Sequence, residues 1–210
     1  MRIILASTSP YRRQLLKRLA IDFDCEAPAV EENRIRGESP DQMALRLATA
    51  KALAVATRHP DAMVIGSDQV AALDDIILGK PGSHAKAVAQ LRASSGRRVD
   101  FFTGVALISD AGRSLRSQVE TFSVYFRTLS DEEIIRYVDH EKPFDCAGSF
   151  KWEGLGISLF ERLQGNDPTS LEGLPLIALC QLLRESGVDV PPAFAGPDSD
   201  RSQKASTSSN

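Results

Sequence analysis

Short apolar runs alternate with polar segments along this chain, and the pattern predicts a domain of intermixed strands and helices. Residues 3–6 predict a buried strand, and Leu15, Leu16 and Leu19 follow it at helical spacing. Similar patterns predict strands at 63–66, 70–73, 76–78, 99–109, 115–129 and 157–163, and helices at 39–57, 83–95, from 130 onwards and 175–185. Because helices mix with long antiparallel hairpins, we expect an α/β domain with a mixed sheet.

The first predicted helix begins with groups that bind anions. Ser9 is a good N-cap, and Pro10 suits the first helical position, where its missing N–H costs nothing. The hydroxyls of residues 7–9, free backbone N–H groups and the side chains of Arg12 and Arg13 all favour a bound phosphate. A capped helix with surface arginines is the alternative, but the density of such groups in one turn favours a site.

Composition narrows the class of protein. The chain has 210 residues, of which 42% are hydrophobic and 25% charged, as in an ordinary soluble globular protein. A net charge of −3 argues against a nucleic-acid polymer as partner, although a small anionic ligand needs only local positive charge. No apolar run approaches a membrane span, and the N-terminus lacks a signal-peptide pattern, so we expect no membrane partner.

The cysteines favour a reducing compartment. Cys25, Cys146 and Cys180 are odd in number, far apart and without CxxC spacing. We therefore expect a cytoplasmic protein in which they are small core residues.

Two charged residues interrupt apolar segments. Lys51 has apolar residues one helical turn away on both sides. Either its aliphatic stem packs while its ammonium reaches water, or the ammonium points into a cleft that holds a phosphate or carboxylate. Asp68 ends the strand predicted at 63–66, a position where α/β enzymes place ligand-binding groups. It could bind a divalent metal, take a proton from water, or only form a turn.

Two loops carry further candidates. Lys80 lies between Gly79 and Pro81, which fix the backbone on either side of the cation. Its ammonium either binds a phosphate or is exposed to solvent. Glu31 and Glu32 form either a solvated acidic loop or a metal ligand that complements Asp68.

Eight short motifs follow one another in order across residues 2–190. They are Leu5-Ala6-Ser7-Thr8-Ser9-Pro10-Tyr11-Arg12-Arg13, Glu31-Glu32, the Leu45-Ala48-Lys51-Ala52 helix, Gly66-Ser67-Asp68-Gln69, Gly79-Lys80-Pro81, Thr103-Gly104-Val105-Ala106, Cys146-Ala147-Gly148-Ser149-Phe150 and Gly173-Leu174-Pro175-Leu176. Together they resemble the Maf family of nucleoside triphosphate pyrophosphatases. The resemblance implies an α/β fold with a mixed, strongly twisted sheet flanked by helices, and two lobes around a nucleotide-binding cleft. It covers residues 1–190; residues 191–210, rich in Pro, Ser, Ala and Asp, are expected to form a disordered tail.

The family resemblance implies an activity and a site. Maf proteins hydrolyse a nucleoside triphosphate between the α and β phosphates, with a divalent metal such as Mg²⁺ or Mn²⁺. By position, Asp68 matches the proton acceptor. The remaining matches are Lys51 and Lys80 as catalytic cations, Ser7, Ser9, Arg12 and Arg13 as substrate-binding residues, and Glu32 with Asp68 as metal ligands.

Three positions resemble one branch of the family. This chain resembles the branch that prefers 7-methyl-GTP, rather than the one that acts on dTTP and UTP, at Tyr11, Gln69 and Glu153. The 7-methyl-GTP branch is nevertheless expected to have tryptophan at position 11. An aromatic face attracts the cationic methylated base, and a carboxylate accepts from both guanine edge donors. A pyrophosphatase for dTTP or UTP, or a nucleotide-binding regulator of septum formation with little catalysis, stays open, and the family commonly forms homodimers.

Overall fold

A mixed sheet of seven strands runs through the centre of the molecule. The computed structural model describes residues 1–193, which contain β1 (Arg2–Leu5), β2 (Asp24–Cys25), β3 (Ala62–Leu73), β4 (Ile76–Leu78), β5 (Arg98–Ser109), β6 (Ser114–Phe126) and β7 (Phe160–Gln164). The strand order is β2-β1-β3-β5-β6-β7, and β4 pairs with β3. β1 is parallel to β2 and β3, whereas the remaining pairs are antiparallel. This is the mixed sheet expected from the sequence.

Five α-helices in the described part of the chain flank this sheet. They are α1 (Pro10–Lys17), α2 (Pro40–Ala56), α3 (His84–Ser94), α4 (Asp131–Glu141) and α5 (Leu176–Glu185). Ser9 caps α1 by accepting from the backbone N of Arg12, and a capping box forms at Ser39, both as predicted. None of the helices within residues 1–193 has the length and apolar character needed to cross a bilayer.

The three central strands are buried on both faces. On β1, Ile3 and Leu5 pack in a core cluster with α1 and α5, whereas Ile4 and Ala6 pack in a second cluster against α2. β3 and β5 continue the same alternation, because successive side chains of a strand point to opposite faces. A third cluster, which includes Phe101, joins α3 and α4 to the far ends of β5 and β6 and forms the second lobe.

Helix α2 lies unusually close to the sheet. A Cβ atom at Gly66 of β3 would lie 2.2 Å from the carbonyl oxygen of Ala48, and one at Gly104 of β5 would lie 2.4 Å from that of Ala44. The two glycines therefore let the helix backbone approach the strands, and this places Lys51 above β3.

Two predicted elements differ from the structure. β3 does not end at Gly66 but continues through Asp68 to Leu73, because the backbone of residues 67–69 pairs with β5, with Asp68 opposite Gly104. The strand predicted at 157–163 begins only at Phe160, since residues Leu155–Leu159 form a 3₁₀ helix.

The prediction that the cysteines are core residues is wrong. Cys25 is exposed, and Cys146 and Cys180 are half-buried, although all three are free thiols as expected. The tail predicted from residue 191 falls almost wholly on 194–210, outside the described residues.

Candidate active site

A cleft of about 750 Å³ opens between the turn that joins β1 to α1 and the second lobe. Its volume is within the range of small-ligand sites. The lining comes from distant parts of the chain: residues 6–12, 27–30 and 32, α2, β3, 77–80, Phe101 of β5, and the segments 145–153 and 171–173. The cleft therefore collects polar groups that are far apart in sequence.

Lys51 occupies the centre of the cleft floor. Its Nζ lies 2.5 Å from Oδ1 of Asp68 and 2.5 Å from Oε1 of Glu32, and the residue is only 6% exposed. Of the two alternatives that the sequence allowed, the ammonium therefore points into the cleft at carboxylates and does not reach bulk water. We call these three residues the Lys51 cluster.

The alternation of β3 sends its polar side chains to two different partners. Asp68 faces α2 and Lys51, whereas Ser67 and Gln69 face the segment 168–176 on the other side. Ser67 Oγ lies 2.8 Å from the carbonyl oxygen of Gly173, and Gln69 Nε2 donates to that of Ser170 at 2.6 Å. Asp68 is thus held on a rigid, fully paired strand, not at a strand end as predicted.

Arg12 brings a second cation toward the same carboxylates. Its Nε donates to the carbonyl oxygen of Gly173 at 2.7 Å, which fixes the guanidinium near the N-terminus of α1. Burial lowers the pKa of Arg12, while Asp68 and Glu32 oppose that shift. The guanidinium therefore presents its remaining N–H groups beside the carboxylates of the Lys51 cluster.

The serines of the same turn hold its shape. Ser7 is buried and its Oγ accepts from the backbone N of Ser9 at 3.1 Å, while Ser9 Oγ accepts from that of Arg12 at 3.4 Å. Both serines line the cleft.

The two carboxylates of the cluster have pKa values shifted in opposite directions. Burial raises the pKa of Asp68 above its usual range, although Lys51 and Arg12 oppose the shift. Burial also raises the pKa of Glu32, but Lys51, Lys80 and Arg12 outweigh it, so the pKa lies below its usual range. Two carboxylates whose pKa values are shifted in opposite directions can take different chemical roles.

Glu32 and Asp68 fit a divalent cation. Both contact the same ammonium nitrogen, so the two carboxylates face the same point of the cleft. Mg²⁺ is commonly bound by one or two carboxylates together with substrate phosphates, and not by an all-protein cage. Residues 1–193 contain no group of three or more His, Cys, Asp or Glu side chains that could hold a metal ion.

The opposite end of the cleft is aromatic and acidic. Tyr11 and Trp152 line it, together with Asp145 and Glu153. Burial, and then the nearby Cys146, Asp145 and Glu153, raise the pKa of Tyr11 to about 12. Arg12, Lys51 and Lys80 therefore surround the carboxylate of Glu32, whereas Tyr11 lies near Cys146, Asp145 and Glu153.

Comparison with known proteins identifies the family. The family model described as Maf-like protein matches residues 2–186. The chain belongs to the Maf family. It is 51% identical over 189 residues, 90% of the chain and 98% of the relative, to the protein named 7-methyl-GTP pyrophosphatase of Pseudomonas aeruginosa PAO1.

One solved structure shares the fold of this chain. The Ham1 protein of Staphylococcus aureus superposes with a TM-score of 0.50 at 16% identity, over 89% of this chain and all of that one. A Vibrio cholerae protein gives a TM-score of 0.46 at 12% identity, over 90% and 99%.

Most of the predicted Maf site residues meet in the cleft, but Arg13 does not. Ser7, Ser9, Tyr11, Arg12, Glu32, Lys51, Asp68, Gln69, Lys80 and Glu153 all line it. Arg13 is exposed and lines a separate hollow of about 290 Å³ beside Lys17 and Cys25. Glu31 is exposed and does not line the cleft.

Sequence reasoning assigned no role to the segment 168–173. Its carbonyl groups receive the hydrogen bonds of Arg12, Ser67 and Gln69. The only signal was the motif that begins at Gly173, which marked the segment without showing what it contacts.

Proposed function

We propose that this Maf protein hydrolyses 7-methyl-GTP between its α and β phosphates and releases 7-methyl-GMP and pyrophosphate. The Lys51 cluster is the observation that carries the reaction: a buried carboxylate of raised pKa lies against two cations in a cleft of nucleotide size. The similarity to the Pseudomonas aeruginosa relative supports the choice of substrate.

The cationic end of the cleft suits the triphosphate. Arg12, Lys51 and Lys80 neutralise the phosphate oxygens and the charge that develops on them in the transition state. Asp68 accepts a proton from the water whose oxygen attacks the α-phosphorus, and the bond from that phosphorus to the β-phosphate oxygen breaks. The electron pair leaves with pyrophosphate.

Glu32 and Asp68 are the residues that would hold a divalent cation, Mg²⁺ or Mn²⁺. When bound, the cation supplies positive charge to the phosphate oxygens and lowers the cost of the developing charge.

The other end of the cleft suits a cationic purine. Methylation at N7 makes guanine positive, and the faces of Tyr11 and Trp152 attract such a ring by about 0.5–2 kcal/mol. Glu153 accepts from the N1–H and N2–H donors of guanine, and its charge favours the methylated base further. Gln69 also lines the cleft, where its side chain donates to the carbonyl oxygen of Ser170.

We also propose that the protein is a cytoplasmic homodimer that acts on free nucleotides. Three free thiols support a reducing compartment. Light scattering on the purified chain tests the dimer.

A nucleotide panel tests the function. Pyrophosphate release is measured with Mg²⁺ on 7-methyl-GTP, GTP, dTTP and UTP, with Asp68→Asn as the control for contaminating enzymes. We expect release from 7-methyl-GTP to exceed that from the other three. Best turnover on dTTP or UTP would contradict the roles given to Tyr11, Gln69 and Glu153, and nucleotide binding without release would favour a regulator of septation.

A further inference from the structure

A long irregular segment carries Glu32 to the cleft. Residues 26–38, here called the strap, connect β2 to α2 without a regular element. Residues 27–30 line the cleft, and Glu32 reaches Lys51 with a side chain that is still 59% exposed. Long connections without secondary structure are uncommon in compact domains and are usually functional.

Two arginines hold the strap on either side of Glu32, one on α2 and one just beyond its end. Arg46 of α2 binds Glu38 with a two-pronged ion pair, Nε to Oε1 at 2.5 Å and Nη2 to Oε2 at 2.8 Å. The same Nη2 donates to the backbone carbonyl of Asn33 at 3.1 Å. Asn33 is the residue after Glu32, so Arg46 fixes the backbone next to the functional carboxylate.

Arg58, just beyond the C-terminal end of α2, holds the other end of the strap. Its Nε donates to Glu26 Oε1 at 2.7 Å, and its Nη2 to the carbonyl of Ala27 at 2.9 Å. Its Nη1 donates back to the carbonyl of Ala54, which ties the guanidinium to the helix. Neither Arg46 nor Arg58 lines the cleft.

We propose that Arg46 and Arg58 are positioning residues that hold the strap so that Glu32 completes the Lys51 cluster. Ordering a loop costs backbone entropy for each residue that is fixed. The single contact of Glu32 with Lys51 cannot offset this cost for thirteen residues, whereas two guanidinium anchors, one on the helix that carries Lys51 and one just beyond its end, share it. The inference rests on the proposed function for its catalytic consequence alone.

Kinetics test whether Arg46 acts through Glu32. We expect Arg46→Met to lower kcat about tenfold, as removal of groups that orient a ligand commonly does. Arg46→Lys keeps the charge but loses the fork and should recover only part of the rate. If Arg46 acts through Glu32, the double variant Arg46→Met/Glu32→Gln loses no more than Glu32→Gln alone. Losses that multiply would overturn the proposal.

Limited proteolysis tests the anchors without any assay of activity. Arg34 and Arg36 are exposed trypsin sites within the strap. We expect cleavage after them to accelerate at least about tenfold in Arg46→Met and in Arg58→Met. Arg92→Met is the matched control, because Arg92 makes an exposed ion pair with Asp131 on α4, far in sequence from the strap. Circular dichroism confirms that each variant is folded.

The two readouts separate this proposal from the proposed function. Unchanged cleavage in Arg46→Met and Arg58→Met overturns the anchors even if the parent chain hydrolyses 7-methyl-GTP. If the parent hydrolyses no nucleotide, the proposed function fails, and accelerated cleavage in the two variants still supports the anchors.

Discussion

Lys51 shows how a buried ammonium is tolerated and used. Two carboxylates contact its nitrogen, so its charge is compensated although the side chain is almost fully enclosed. Removing one partner of a buried ion pair usually leaves a charge that destabilises the fold. Because Glu32 would remain when Asp68 is changed, catalysis and stability can be tested separately here.

The first prediction concerns the proposed base. Asp68→Asn keeps the shape of the side chain and removes the proton acceptor, so we expect kcat on 7-methyl-GTP to fall by at least about 100-fold. Thermal unfolding monitored alongside should show a folded protein. Turnover at the parental rate would exclude Asp68 from the reaction.

The pH profile follows from the raised pKa of Asp68. A base acts only when ionised, so kcat/KM should fall as the pH drops through the pKa of this carboxyl, which lies above its ordinary value. Lys51 lowers that pKa. In Lys51→Met the acidic limb should therefore move to higher pH, in addition to a lower maximal rate. A limb at the parental pH in this variant would argue that another group titrates.

Single residues could be picked out from the sequence only where they broke a local pattern. Lys51 interrupts an apolar helix face and Asp68 interrupts an apolar strand, and both proved to lie in the cleft. Arg12 and Arg13 are the same residue type, so the sequence alone does not distinguish them. Because successive helical residues point about 100° apart, only the packing of α1 decides that Arg12 enters the cleft. Glu31 and Glu32 likewise differ only through the path of the strap.

At the scale of elements, α2 and β3 act as one unit that sets the position of Lys51 and Asp68. The close approach at Gly66 and Gly104 fixes the distance between helix and sheet. It thereby fixes the separation of the backbones from which the two side chains extend. One strap anchor, Arg46, extends from the same helix, and the other, Arg58, lies just beyond its end.

Filling this contact should destabilise the fold. Gly66→Ala places a methyl group against the backbone oxygen of Ala48, which cannot move without the helix, so we expect a loss of about 1–3 kcal/mol or more. The free energy of unfolding is measured in urea. Gly79→Ala is the control, because no atom lies within 4 Å of its Cβ position, and it should change stability by less than about 0.5 kcal/mol. Equal stabilities would contradict tight packing of α2 on β3.

Elements were predictable where caps and periodicity agreed, and less so where polar residues lie in the sheet. The helices that begin after Ser39 and Ser130 carry capping boxes and were placed correctly. β3 was predicted to break because Ser67, Asp68 and Gln69 are polar. Long-range partners satisfy all three side chains, and nothing local to the sequence shows those partners.

At the scale of the whole molecule, the extent of the domain is open to a direct test. Residues 191–210 are poor in groups that could be buried, and the family match ends at residue 186. We expect a chain ending at residue 193 to keep the parental melting temperature within about 1 °C and the parental kcat/KM. A loss of either would assign the C-terminal residues a part in the fold or the reaction.

The carbonyl of Gly173, which accepts hydrogen bonds from Arg12 and lies beside the Ser67 hydroxyl, makes the site a late product of synthesis. Arg12 and Gly173 are 161 positions apart, so the cleft around Arg12 is incomplete until residue 173 has been synthesised. Contacts between such distant residues slow folding, because a long loop must close before they form. A nascent chain released before this glycine would lack the atom that orients the guanidinium. Assembly of the cleft therefore has to wait until the ribosome has passed residue 173.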